Sequence, residues 1–277
     1  MLGKKSKWMI SYYWLKDIYG IAQTQPFAER IAPENIIKNE HMCQGLARLQ
    51  YMAAQGTIAL ITGQTGVGKS ALIRLFLANL PPNHYLPIYI YFTHLKAIGL
   101  LRLIVTELGE IAKITKERLF LQLMEKLSKI NLTVLLIIDE AHLLDSDIIT
   151  DLRLLVSSAL DNAPPLKIIL AGQERIKSQL KTSSHLDFAH RISVYFHLEP
   201  LTKAQTEAYI DSQLKYSGVS EKIFEQEVKY MINEYSNGIP RQINNIATAC
   251  LINASIQKIQ KINLNLLNQT MAELQKF

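Results

Sequence analysis

Five short apolar runs punctuate the first two hundred residues, and segments of helical period separate them. The runs are Thr57 to Thr62, Ile88 to Phe92, Val134 to Ile138, Ile168 to Ala171 and Ile192 to Leu198. Each has the length and β-branched content of a strand, and Val134 to Ile138 is apolar without alternation, as in a parallel strand buried on both faces. Between them, Asn39 to Gln55 carries Met42, Leu46, Leu49, Met52 and Ala53 at helical spacing. Ala71 to Leu77, Ile98 to Ile111, Lys116 to Ile130 and Asp147 to Leu160 read as further helices. Pro81-Pro82 stops the second helix and Pro200 closes the last strand. Strands alternating with helices predict an α/β fold, a parallel sheet joined by crossover helices.

From Thr202 onward the period is helical only, over roughly 203–217, 220–236, 240–258 and 263–275. Ile243, Ile246, Ala247, Cys250, Leu251 and Ala254 fall on one stripe of the third of these helices, a pattern of core packing. Residues 1–35 read as an irregular leader in which Pro26 and Pro33 break any long helix. The expected organisation is thus a leader over 1–35, an α/β core over 36–200 and a helical lid over 201–277.

The loop after the first strand brings in chemistry. Gly63-Gln64-Thr65-Gly66-Val67-Gly68-Lys69-Ser70 reads G-x-x-x-x-G-K-S between a strand and a helix, the context that a phosphate-binding loop requires. Its glycines let backbone N–H groups wrap phosphate, and the following helix adds its N-terminal partial charge. Lys69 is expected at the β- and γ-phosphates and the Ser70 hydroxyl on Mg²⁺. About seventy residues on, Asp139-Glu140 ends the most apolar strand, at the carboxyl end where open α/β sheets place ligands. Asp139 is expected to hold Mg²⁺ and Glu140 to orient and deprotonate the attacking water. His142, which completes Asp-Glu-Ala-His, reads as incidental.

Three further polar positions sit at element junctions. Gln173 ends the strand expected beside 134–138, in reach of the attacking water or γ-phosphate; a Gln in a turn is as often without chemistry. Arg191 precedes the last strand and reads either as an arginine finger toward a neighbouring subunit's nucleotide or as a plain surface arginine, with Arg175 a weaker choice for the finger. In Gly238-Ile239-Pro240-Arg241, Gly238 suits a left-handed helix end and Pro240 the first turn of the next helix. Arg241 then projects from that helix start toward the γ-phosphate.

Composition narrows the partners. The 277 residues are 48% hydrophobic and 19% charged, an ordinary globular balance. Two cysteines, Cys43 and Cys250, lie far apart in apolar helical patterns, which argues against a disulfide or a metal site and fits a reducing, cytoplasmic setting. No run is long enough to span a membrane, and the lysine-bearing start lacks the pattern of a signal peptide. Net charge is +6, but residues 1–130 hold 16 Lys and Arg against 8 Asp and Glu, and the rest 14 against 16. That skew suggests a polyanionic partner or a generic solvated surface.

Taken in order, Pro26-Phe27, GQTGVGKS, LLIIDEAHLL, LRLL, ILAGQ, Arg191-Ile192 and NGIPRQIN resemble the ExeA/TnsC-like branch of the AAA+ ATPases over about residues 20–260. The resemblance implies a P-loop core with a helical lid, and ATP and Mg²⁺ as cofactors. It makes Lys69 and Ser70 Walker A, Asp139 and Glu140 Walker B, Gln173 sensor 1, Arg191 the arginine finger and Arg241 sensor 2. It also implies a homo-oligomer, a ring or a helical filament, with nucleotide at subunit interfaces.

The branch holds two kinds of protein. Transposition helpers assemble with ATP on double-stranded DNA without sequence preference and recruit or activate a transposase. ExeA-type secretion ATPases assist envelope assembly and carry a transmembrane helix and a peptidoglycan-binding region after the ATPase domain. The end of the chain at Phe277 and the basic N-terminal half favour the DNA-bound helper; the secretion role is the alternative. Lys96, Arg102, Lys113, Lys116 and Arg118 are the candidate cations for tracking DNA phosphates, though each taken singly reads more readily as part of a solvated helix face. In the leader, Lys4, Lys5 and Lys7, with Trp8, Tyr12, Tyr13 and Trp14, are available to a partner or to core packing.

Overall fold

A computed structural model describes residues 25–28, 31–91, 96–157, 166–219 and 221–275. The leader cations and aromatics from Lys4 to Trp14 lie outside the described residues, as do the expected strand end at Phe92 and helix end at Leu160. The chain divides into two compact units. One comprises residues 40–65 and 69–198; the other comprises residues 199 onward with the described part of 25–39 and with Gly66–Gly68.

Among the described residues the first unit holds five strands: β1 (Ile58–Thr62), β2 (Tyr85–Tyr91), β3 (Thr133–Asp139), β4 (Leu166–Gly172) and β5 (Ile192–His197). They form one parallel sheet in the order β2-β3-β4-β1-β5. The α-helices described with it are α1 (Glu40–Gln55), α2 (Lys69–Ala78), α3 (Ala97–Glu107), α4 (Lys116–Lys129), α5 (Ser146–Ser157), α6 (Arg175–Leu180) and α7 (Leu186–Ala189). Every residue of β1 is buried, and so is β3 after Thr133, which is why these strands are apolar without alternation. Leu119, Leu123 and Leu127 of α4, Leu100 and Ile104 of α3, and Ile148, Leu152 and Leu155 of α5 pack into the core with Leu136, Ile138 and Ile168. The parallel sheet flanked by helices is the architecture the hydrophobic pattern predicts.

Boundaries differ where local chemistry intervenes. β2 starts at Tyr85 rather than Ile88 and carries Pro87 within it. Proline is tolerated there because β2 is an edge strand, with β3 as its one strand partner among the described residues. The helix expected to reach Ile111 stops at Glu107, because Gly109 turns left-handed (φ 79°) and Glu110 N–H returns to Val105 O. The short helices α6 and α7 were not expected from the pattern. At the opposite edge, α1 shields β5: His41 Nε2 lies 2.9 Å from His197 O, and Arg48 donates to Tyr195 O at 3.5 Å.

The second unit is helical, with α8 (Lys203–Tyr216), α9 (Gln226–Ser236), α10 (Pro240–Ile256) and α11 (Leu264–Leu274). Thr202 opens α8 with a capping box through Gln205. Residues 221–223 form a 3₁₀ turn, so α9 begins at Gln226, later than the expected 220. The stripe on α10 is buried as expected, against Ile210, Leu214, Val228, Ile232 and Leu266. Phe27 completes this core, its ring edge-on to Phe224 at 6.2 Å.

Candidate functional site

Crossover topology brings the chemistry-bearing residues of the first unit to the carboxyl ends of three adjacent strands. β1 delivers the loop that begins at Gly63, β3 delivers Asp139, and β4 delivers Gln173. In the loop, Gly66 (φ 82°) and Gly68 (φ 114°) adopt conformations that side chains oppose, and this lets consecutive backbone N–H groups line a concavity. Gly63 N–H donates to Gly172 O at 3.2 Å and ties the loop to β4. Lys69 is buried, 6% exposed, and its ammonium donates to Gly63 O and Gln64 O, each at 2.9 Å. A lysine folded over its own loop in this way holds its charge where phosphate oxygens would lie.

Asp139 is buried at the head of β3. Ser70 Oγ donates to its Oδ2 at 2.8 Å, and Glu140 N–H donates to its Oδ1 at 2.9 Å. A hydroxyl and a carboxylate are the hard oxygen donors that Mg²⁺ takes, with water and phosphate completing its shell. The pair therefore fits the ion that a P-loop implies. Glu140 itself is left-handed (φ 56°, ψ 33°), a backbone state that costs a non-glycine residue about 1–2 kcal/mol. The turn that follows, Ala141–Leu143, is a single 3₁₀ turn.

Gln173 lies within this group: its side-chain amide donates to Thr65 Oγ1 at 3.1 Å, inside the phosphate loop. Its backbone N–H donates to His142 Nδ1 at 3.3 Å, and the same ring nitrogen lies 3.3 Å from Glu140 Oε2. Nδ1 thus faces a donor, the Gln173 N–H, and an acceptor, the Glu140 carboxylate. Burial, and then the nearby Arg175, push His142 below the usual histidine range, which favours the neutral ring. His142, read as incidental in the sequence, therefore packs between Glu140 and Gln173.

Other expected residues fall elsewhere. Arg191 is exposed just before β5, whose first residue Ile192 is level with Ile58 at the amino end of the sheet. It stands at the opposite end of the strands from Lys69 and Asp139, and so does not meet its own chain's phosphate loop. In the second unit Arg241 follows Pro240 at the start of α10, and its N–H donates to Gly66 O at 3.3 Å. Lys96 is exposed at the N-cap of α3, Arg102 on α3, Lys113 on its connection to α4 and Arg118 on α4. Lys116 is instead held by Asp151 at 2.8 Å. Sequence reasoning missed Tyr89, whose hydroxyl donates to Asp139 Oδ2 at 2.5 Å. Only its place in a strand next to 134–138 pointed there.

Residues 53–180 match the family described as an AAA domain. Over 250 residues the chain is 29% identical to general secretion pathway protein A of Aeromonas hydrophila, an alignment taking in 88% of this chain. The chain spans 45% of that relative's length. The crystal structure of Cdc6p from Pyrobaculum aerophilum superposes with a TM-score of 0.72 at 19% identity, covering 89% of this chain and 70% of that one. The ORC1 protein of Aeropyrum pernix, in a structure with DNA, gives 0.63 at 15% identity over 94% and 69%. Fold and site together define an AAA+ P-loop ATPase. The 29% identity to the secretion-pathway relative supports an ExeA-like branch within that class.

Proposed function

We propose that this ATPase regulates DNA transposition: with ATP it oligomerises, as a ring or helical filament, on double-stranded DNA, and there it recruits or activates a transposase. In this reading it works in the cytoplasm. The loop Gly63–Ser70 binds the triphosphate through its N–H groups, with Lys69 on the β- and γ-phosphates and Arg241 on the γ-phosphate. Ser70 and Asp139 hold Mg²⁺, which when bound neutralises charge on the phosphate oxygens. Glu140 takes the proton of the attacking water, Gln173 orients that water, and Arg191 serves the nucleotide of a neighbouring copy.

The observation that carries the DNA reading is the set of exposed cations Lys96, Arg102, Lys113 and Arg118, which form no ion pair among the described residues. Four such cations along one helical hairpin suit phosphate tracking with little base readout. A second reading, assistance to secretion-machinery assembly, is favoured by the 29% identity to general secretion pathway protein A. Among the described residues no helix is long and apolar enough to cross a membrane.

The two readings separate on random-sequence duplex DNA titrated at two salt concentrations, with Lys69→Ala as control. The transposition reading expects ATP-dependent binding that is abolished in Lys69→Ala. It also expects the triple reversal of Lys96, Arg102 and Lys113 to Glu to lower the salt slope by roughly one for each phosphate these cations neutralise. An active ATPase with no affinity for DNA would favour the secretion reading.

A further inference from the structure

We propose that Tyr89 is a positioning residue for the magnesium site, holding the Asp139 carboxylate in one orientation from the edge strand. This rests on the reading of Asp139 as a metal ligand. The placement follows from register. β2 pairs with β3 so that Tyr91 is level with Asp139 and Tyr89 with Ile137. Ile88 and Ile90 point into the core, which puts Tyr89 and Tyr91 on the other face, 41% and 61% exposed. From two residues back, the long Tyr89 side chain reaches forward to the carboxylate that ends the neighbouring strand.

Three donors then share one carboxylate. Tyr89 Oη and Ser70 Oγ both donate to Oδ2, at 2.5 and 2.8 Å, and the Glu140 N–H donates to Oδ1 at 2.9 Å. A carboxylate offers about four acceptor sites, so both on Oδ2 are taken and one remains, on Oδ1. Ser70 is itself an expected metal ligand, and Glu140 N–H comes from the residue next in the chain. Of these three donors, Tyr89 alone belongs neither to the phosphate loop nor to the Asp139-Glu140 turn. Asp139 is only 2% exposed, so water cannot freely replace a donor that is removed. Outer partners that orient a ligating group change metal affinity by about 10- to 100-fold when removed.

The test is equilibrium binding of a fluorescent ADP analogue to the full chain, titrated with Mg²⁺ and repeated in EDTA, for wild type, Tyr89→Phe, Asp139→Asn and Tyr91→Phe. Tyr89→Phe keeps the ring and, at a half-exposed edge position, leaves the fold intact. It is expected to raise the Mg²⁺ concentration for half-saturation about tenfold while leaving affinity in EDTA within about twofold. Tyr91→Phe should match wild type. In hydrolysis, the Mg²⁺ requirement should rise while the rate at saturating Mg²⁺ changes less than about threefold. If Asp139→Asn loses the Mg²⁺ effect and Tyr89→Phe retains it unchanged, the role given to Tyr89 is wrong. Equal weakening of Tyr89→Phe with and without Mg²⁺ would make the residue a support of the loop and also overturn it. Should Asp139→Asn keep the full Mg²⁺ effect, the metal-ligand reading itself falls.

Discussion

Replacing Gly238 with alanine should destabilise the helical unit more than the same change at Gly109 destabilises its own unit, though both glycines are left-handed. Gly238 has φ 67° and follows Asn237, itself left-handed, at the end of α9. A left-handed alanine costs about 1–2 kcal/mol in either place. At Gly109 nothing lies within 4 Å of the added carbon, so the backbone term stands alone. At Gly238 the carbon would meet Leu201 O at a distance no real contact tolerates, and backbone has to move. That oxygen accepts from Asn233 Nδ2 at 3.0 Å, and Leu201 N–H donates to Gly238 O at 2.8 Å. Weakening both bonds adds roughly 1 kcal/mol each. The total for Gly238→Ala is about 3–4 kcal/mol, against about 1–2 for Gly109→Ala. Because the chain has two units, a single unfolding midpoint is the wrong readout. Amide hydrogen exchange resolved by peptide reads each unit separately. Peptides of α9 and α10 should exchange on the order of 10² to 10³ times faster in Gly238→Ala, and those of α3 and α4 about ten times faster in Gly109→Ala. Equal acceleration by the two substitutions would refute the steric argument.

Three further outcomes are expected. Native protein at pH 8 should leave the buried Cys250 unreactive toward a thiol reagent while the exposed Cys43 reacts, and denaturant should make both react, since burial raises Cys250 to about 11. That raised value also makes the unfolded chain release its Cys250 proton first, so stability present below about pH 9 should fall between about pH 9 and 11. Comparing wild type with Cys250→Ala across that window isolates the contribution, and parallel curves would contradict it. Gln173→Ala, which removes the amide bonded to Thr65, should slow hydrolysis about 10²-fold while changing nucleotide affinity less than about threefold. A loss confined to affinity would assign Gln173 to binding alone.

Much of the scaffold is legible in the sequence because burial on both faces leaves a plain signature. β1 and β3 are apolar at nearly every position, and the loop and the acidic pair follow them directly. Placing Gln173 required only that β4 lie beside β3, which the alternation of strands and helices predicts. What was not legible depends on register or on single backbone turns. Tyr89 reads as one of several tyrosines in an edge strand, and its bond to Asp139 exists because the strands pair with Tyr91 level with Asp139. The contact of His142 with Gln173 joins residues 31 positions apart through a 3₁₀ turn that has no periodic signal. α6 and α7, six and four residues long, are too short for a helical period to declare them. Lys116 looked like any exposed cation until Asp151, buried on α5, was placed against it.

The central claim is that one chain's Lys69, Ser70, Asp139 and Glu140 form a site that binds MgATP and hydrolyses it through the Glu140 carboxylate. Single-turnover hydrolysis by Glu140→Gln, measured beside equilibrium ATP binding, tests it most directly. The expected result is ATP affinity within about threefold of wild type and a chemical step slowed by about 10²-fold or more. Hydrolysis by Glu140→Gln at the wild-type rate, with binding intact, would show that the proton leaves the attacking water by another route and would contradict the account.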